Sequence, residues 1–275
     1  MKKLKKFIIF IVIISLITVL YSMYIEPRWI RVKNLNVTLN KNIDHNIKIV
    51  QFSDTQLGDF FTIKQLEEVV YKINKESPDI VIFTGDLIDN ASQYRDINKV
   101  SEILSKINCS LGKYAIYGNH DYGGGAVRYY DSIMKESGFK IVKNSSVSLK
   151  SGSNTIKIFG CDEKLMGDYN SEKTIKGINS KDINILALHE PDLIDDFKLF
   201  SIDLALAGHS HGGQVRIPFY GPIMNNALAK KYTHGFYDLD NKANTKFYVN
   251  TGLGNTKLPF RFGNIPEITV FNLKS

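Results

Sequence analysis

From Ile47 onward the chain alternates short β-branched runs with polar, glycine-containing clusters. IKIVQF leads into SDTQLGD, DIVIFT into GDLID, YAIY into GNHDYGGG, INILAL into HEPD, and DLALA into GHSHGG. Apolar runs of this length bounded by turn residues predict buried strands. Between them lie stretches such as FTIKQLEEVVYKINKES, where apolar residues recur at three- and four-residue spacing and predict helices. KFYVNTG and PEITVFNL predict two further strands near the end. Strands alternating with helices imply an α/β layered domain with sites at the strand ends. No repeat or linker interrupts the pattern after residue 34, so residues 35–275 are expected to form one domain.

The N-terminal segment does not share this pattern. Lys2, Lys3, Lys5 and Lys6 precede FIIFIVIISLITVLYSMY, residues 7–24, which carry no charge. As a helix this run would be about 27 Å long, close to the roughly 30 Å of a bilayer's hydrocarbon core. It exceeds the apolar region usual in a signal peptide and ends in Tyr21, Met23 and Tyr24, with no small-residue cleavage site. Residues 1–25 are therefore expected to be an uncleaved membrane anchor. A cleaved signal peptide, giving a secreted protein, and a buried core helix are the alternatives. The basic flank favours a cytoplasmic N-terminus and an external domain, while Arg28, Arg31 and Lys33 pull the other way.

Charge gives little ground for expecting a nucleic-acid partner. The net charge is +7, four of it from the lysines of the N-terminal flank, in a segment without acids. The +3 left over is too small for a nucleic-acid surface, and nothing implies a protein partner. Two cysteines, Cys109 and Cys161, cannot build a disulfide scaffold or a four-sulfur metal site and are expected to be small buried residues.

The chemistry lies in the clusters. They present Asp54, Gln56, Asp86, Asn119, His120, Asp121, His189, His209 and His211, which include four of the six histidines in the protein. Singly, each cluster has a plain structural explanation as a turn or helix start, but their ordered recurrence after successive strands does not. Imidazole with carboxylate suits Mn, Fe or Zn, and the lack of cysteine argues against a thiolate cage. Two neighbouring cations need a shared anionic ligand, for which Asp86 is the natural residue. Residues 208–212, GHSHG, also fit the nucleophile elbow of a serine hydrolase. That elbow needs a following helix and then an acid and a histidine in order; here GGQVRIPFYGP follows, with no acid before His234. Ser210 is thus read as a spacer between two metal-binding imidazoles.

The ordered set SDTQ, GDLID, GNHD, the HEPD histidine and GHSH resembles the calcineurin-like metallophosphoesterases. With the tail NTGLGNTKLPFRFGNIPEITVFNL and the N-terminal apolar segment, it looks like their bacterial membrane-anchored or exported branch. The resemblance implies a four-layer α/β/β/α sandwich and hydrolysis of phosphate esters with two divalent metal ions. It would place one ion on Asp54, Gln56, Asp86 and His211 and the other on Asp86, Asn119, His189 and His209. His120 would sit beside the phosphate as the catalytic residue, oriented by Asp121. Asp89 and Asp162 are either supports to the site or loop acids. The family's first motif is usually D-x-H, so Gln56 is a departure. A neutral amide oxygen favours Mn or a similar oxygen-tolerant ion. A degenerate, binding-only site tethered to the membrane is the alternative.

Two loops are expected to govern substrate choice. YGGGAVRYY offers a flexible turn and Arg128. IPFYGPIMNNALAKKYTHGFY is read as a lid, a surface resting on the membrane, or an ordinary surface loop, with His234 a weak candidate for substrate contact. An external anchored domain would meet lipid-linked phosphates, cell-wall polymers or extracellular nucleotides.

Overall fold

The computed structural model describes residues 1–275. It opens with a helical run from Lys2 to Arg28, whose α-helical part is α1 (Lys2–Leu20). None of the residues of α1 is buried against the rest of the chain, which removes the core-helix alternative. At 27 residues the run is about 40 Å long, enough to cross a bilayer. An apolar helix of this kind is either a membrane anchor or a signal sequence.

The strands are β1 (Arg31–Thr38), β2 (Ile47–Phe52), β3 (Ile80–Phe83), β4 (Gly112–Ala115), β5 (Phe139–Ile141), β6 (Ser145–Ser151), β7 (Asn154–Gly160), β8 (Ile183–Ala187), β9 (Leu204–Ala207), β10 (Arg216–Ile217), β11 (Gly221–Pro222), β12 (Gly235–Asp238), β13 (Lys246–Val249) and β14 (Glu267–Lys274). Two six-stranded sheets result, ordered β1-β14-β2-β3-β4-β5 and β12-β13-β9-β8-β7-β6, with β10 and β11 as a separate hairpin. Strand alternation sorts side chains between layers: Ile47 and Ile49 of β2 face the second sheet, and Val50 and Phe52 face the helices.

The helices after α1 are α2 (Ile63–Lys75), α3 (Ile97–Ser105), α4 (Asn119–Tyr122), α5 (Tyr130–Glu136) and α6 (Ser171–Thr174). α2 starts where Thr62 and Gln65 exchange backbone and side-chain hydrogen bonds. It buries Leu66, Val69, Val70 and Ile73 on one face, at helical spacing, against the first sheet. Between the sheets lies a second core containing Ile80, Ile82, Ile158, Ile185, Leu206 and Phe271. Over the far face of the second sheet, Leu193, Ile194 and Phe197 pack on Phe159, Leu186 and Phe247. The four-layer order is as expected, but the fourth layer is thin. It consists of the 3-10 turn Pro191–Phe197, the single turn of α6 and loops.

Two features were not foreseen. β1 begins at Arg31 and pairs in parallel with all eight residues of β14. Its exposed, polar-rich side chains hide it from a search for apolar runs. The end of the N-terminal helix is also part of the packed structure. Ser22 and Glu26 are buried, the Arg261 N–H donates to the Ser22 carbonyl at 2.9 Å, and the Glu26 carboxylate accepts from the N–H groups of Gly263 (3.1 Å) and Asn264 (2.5 Å).

Candidate metal centre

β2, β3 and β4 run parallel to one another, as do β7, β8 and β9. Their C-terminal ends meet at one edge of the two-sheet stack, which brings the polar clusters together there. The loops approach closely because they carry glycine. A Cβ on Gly118 would lie 2.3 Å from Asp86 Oδ1, and one on Gly208 would lie 2.5 Å from Asp54 Oδ2. Larger residues would push the strand ends apart.

Two groups of side chains could each hold a cation: Asp86, His189 and His209, and Asp54, Asp86 and His211. In each, the ligand atoms lie within 4.8 Å of one another. Asp86 belongs to both, as a bridging ligand must. The remaining two residues of the expected set, Gln56 and Asn119, each have a buried amide oxygen without a hydrogen-bond partner. Such an oxygen is costly to leave unpaired, so an oxygen-accepting cation is a fitting partner for both. The residues present therefore fit two divalent ions.

Each imidazole is aimed by a backbone carbonyl. His189 Nδ1 meets the Thr84 carbonyl at 2.7 Å, His209 Nε2 the Ala227 carbonyl at 2.8 Å, and His211 Nδ1 the Gly254 carbonyl at 3.1 Å. A carbonyl only accepts, so those nitrogens carry protons; His209 Nδ1 and His211 Nε2 offer a lone pair to a metal, and His189 Nε2 does so once it gives up the proton that Asp86 favours. Orientation of a ligand's other nitrogen is the usual support at metal sites.

The charges are set by burial and by one another. Burial opposes ionisation of Asp86, but the adjacent His189 charge outweighs it and holds the carboxyl well below its usual range. Burial likewise works against charged His189, and Asp86 and Asp54 overcome it, so this ring is held well above its ordinary value. Asp54 is pushed up to about 6, chiefly by burial. His209 is lowered to about 4 by burial and by His189, and His211 falls well below its usual value through burial and Arg261. Both are neutral and able to ligate at physiological pH.

His120 stands at the open side, where its side chain keeps 28% exposure. Its Nδ1 lies 3.0 Å from the Asp89 carbonyl and 3.2 Å from Asp89 Oδ1. Burial lowers the ring's affinity for its proton, but the Asp89 hydrogen bond and the Asp86 charge more than compensate and raise it to about 9.

The orienting role expected of Asp121 needs correction: its side chain is fully buried and bonds to backbone. It accepts from the N–H groups of Asp86 (2.7 Å), Leu87 (2.8 Å) and Gly118 (2.8 Å), stapling the Asp86 loop to the Asn119 loop. The contact with His120 belongs to Asp89. Asp162 is a structural acid, accepting from Tyr122 Oη and the Asp168 N–H at 2.7 Å each. Ser210 Oγ accepts from the Gly212 N–H at 3.0 Å, in keeping with a spacer. Arg128 and His234 are exposed and away from the ligands' contacts. Cys161 is buried, Cys109 half-buried, and both are free thiols.

A model of the calcineurin-like phosphoesterase family matches residues 47–213, the stretch that supplies every one of these ligands. The chain belongs to the calcineurin-like phosphoesterase family. It is a metal-dependent phosphoester hydrolase. Among curated relatives of this phosphoesterase, the uncharacterized metallophosphoesterase YkuE of Bacillus subtilis is 42% identical, over 93% of this chain and 89% of that one. The uncharacterized metallophosphoesterase Cj0846 of Campylobacter jejuni is 32% identical, over 88% of this chain and 63% of that one. LpxG of Chlamydia muridarum, a UDP-2,3-diacylglucosamine pyrophosphatase, is 26% identical over 94% of both chains.

Sequence reasoning missed the phosphoesterase's supports. Asn226 Nδ2 donates to the His209 carbonyl at 2.6 Å, and Asn264 Nδ2 to the His211 carbonyl at 2.5 Å. Arg261 is fully buried and reaches the carbonyls of Gly254, Thr251 and Asn264. One available signal was the run of Asn, Thr and Gly in NTGLGN. Glu26, the first acid after the uncharged segment, was the other.

Proposed function

We propose that this chain hydrolyses a phosphodiester or pyrophosphate of an envelope or lipid-linked compound, on the outer side of the membrane that holds its N-terminal helix. The observation that carries the reading is the pair of ligand groups sharing Asp86, with the unpartnered oxygens of Gln56 and Asn119 beside them. Asp54, Gln56, Asp86 and His211 would hold one ion, and Asp86, Asn119, His189 and His209 the other. When bound, two divalent cations supply a nucleophile from water at neutral pH and neutralise charge on the phosphate. The neutral Gln56 oxygen favours Mn among the candidate ions.

The chain's own residues do the rest. Asp121 keeps the Asp86 and Asn119 loops in register through three backbone N–H groups. Asp89 fixes His120 at Nδ1 and holds the ring protonated, so that Nε2 can donate to the leaving oxygen or to a phosphate oxygen. Lys2, Lys3, Lys5 and Lys6 support a cytoplasmic N-terminus. Burial of Ser22 and Glu26 supports a helix retained as an anchor. The pyrophosphatase activity of LpxG supports the substrate class.

The test uses the full chain in detergent, supplied with Mn, Zn or Fe and assayed on phosphate monoesters, diesters and pyrophosphates alongside metal stoichiometry. Two ions per chain with diester or pyrophosphate turnover is the expected result. One ion or none, without turnover, would leave a tethered binding module in its place.

A further inference from the structure

The loop Gly254–Asn264 has contacts on both sides. On one it receives the end of the N-terminal helix through Ser22 and Glu26. On the other it carries the β10–β11 hairpin: the Arg216 N–H donates to the Phe262 carbonyl at 2.7 Å, and the Phe262 N–H to the Gln214 carbonyl at 3.1 Å. Gly263 borders both the cleft lined by Tyr21 and Glu26 and the one lined by Arg216 and Phe219. The hairpin is thus held within a residue or two of where the apolar helix ends.

Its side chains are not those of a water-facing turn. Phe219 is fully exposed, Tyr220, Ile223 and Met224 are more than half exposed, and Leu258 opposite is 52% exposed. Among them lies an open cavity of about 200 Å³ lined by Val215, Ile223, Met224 and Leu258, with Lys257, Ser210 and His211 also in its wall. An apolar rim and a largely apolar cavity with the candidate ligand His211 in its wall are therefore continuous, beside a helix able to span a bilayer. Exposed apolar patches with such neighbours mark contact surfaces.

We propose that the β10–β11 hairpin sits in the surface of the membrane that the N-terminal helix crosses, and that the cavity beside it receives the hydrocarbon part of a lipid-linked phosphate. This rests on the phosphodiester or pyrophosphate reading above and adds how the substrate enters: sideways from the bilayer, with its hydrocarbon along Ile223, Met224 and Leu258 and its phosphate toward His211.

Two measurements test it. Trp29 is the only tryptophan, so a Trp29→Phe background carrying Phe219→Trp reports on the hairpin. The full chain is placed in phosphatidylethanolamine–phosphatidylglycerol vesicles containing lipids brominated on the acyl chain. Emission should shift to the blue and be quenched at least twofold, as for Leu20→Trp in the same background. Emission matching Leu199→Trp, a fully exposed position on the far layer, overturns the proposal. The second measurement compares octyl and methyl esters of p-nitrophenyl phosphate in the metal-loaded full chain. kcat/KM should be at least tenfold higher for the octyl diester, and the octyl-to-methyl ratio should fall at least fivefold in Met224→Asp. Equal turnover of both esters would remove the hydrocarbon cavity and leave the phosphodiesterase reading standing. No turnover of either ester or of a pyrophosphate, with two ions bound, would remove both.

Discussion

Glu26→Gln is the substitution in which the N-terminal helix and the candidate metal centre are most directly connected. The two carboxylate oxygens accept one N–H each, from Gly263 at 3.1 Å and Asn264 at 2.5 Å, in a fully buried position. An amide retains one acceptor and turns its NH₂ toward the other donor. Leaving one buried N–H without a partner costs about 1–3 kcal/mol, and exchanging a charged acceptor for a neutral one at the second costs about 1 kcal/mol. The sum is roughly 3 kcal/mol. At about 2–4 °C per kcal/mol for a chain of this size, the metal-loaded protein should melt roughly 6–12 °C lower. The loss should also reach the metal. Asn264 holds the His211 carbonyl, and the Gly254 carbonyl that aims His211 Nδ1 is held in turn by Arg261. Scanning calorimetry together with metal titration reads both effects, with Glu68→Gln on the surface of α2 as control. A Glu26→Gln protein that melts within 1 °C of wild type and binds both ions unchanged would refute the reasoning.

Asp86→Ala should lose both ions by metal analysis, whereas His120→Ala should keep them and lose turnover by a hundredfold or more; equal metal content in Asp86→Ala would refute the bridging assignment. Asp89→Asn removes the carboxylate 3.2 Å from His120 Nδ1, so the ring's pKa falls. With protonated His120 as the donor proposed above, the alkaline limb of the rate profile should move to lower pH. Metal affinity should rise between pH 6 and pH 8, with proton release seen by calorimetry in buffers of different ionisation enthalpy. The reason is that His189, held protonated by Asp86, must give up that proton to ligate. Cys161 is buried and its thiol is pushed up to about 12 by that burial, so it should resist alkylation at pH 8 until the protein unfolds. Mass spectrometry along a denaturant series checks this.

Much of the fold was legible because the site sits where strands stop. β2 matches IKIVQF residue for residue, β3, β8, β9 and β13 lie within their expected runs, and β14 runs one residue past the end of PEITVFNL, to Lys274. β4 pairs two residues earlier than YAIY implied, because Ile116 and Tyr117 are buried after the ladder ends. β1 was not legible, since RVKNLNVT lies at a sheet edge and lacks a continuous apolar face. At the site, the ligand types could be read from local motifs. The exchange of roles between Asp121 and Asp89 could not: both follow polar clusters, and only the three-dimensional path shows which carboxylate meets backbone and which meets a ring. Glu26 was hidden for a similar reason, as its partners lie more than 230 residues away.

Asp54, Gln56, Asp86, His209 and His211 all adopt left-handed backbone conformations, with φ between +46° and +64°. Non-glycine residues avoid that region at a cost on the order of 1 kcal/mol each. Glycine would relax every one of these positions, yet glycine has no ligand to offer. Selection for thermal endurance alone, in a strain freed from any need for the reaction, should therefore erode the site from within. These five codons would drift toward residues comfortable in a left-handed turn, while the apolar layers around them stayed unchanged. A relative with intact layers and glycine or asparagine at these positions would be the descendant of an enzyme that had exchanged its chemistry for durability.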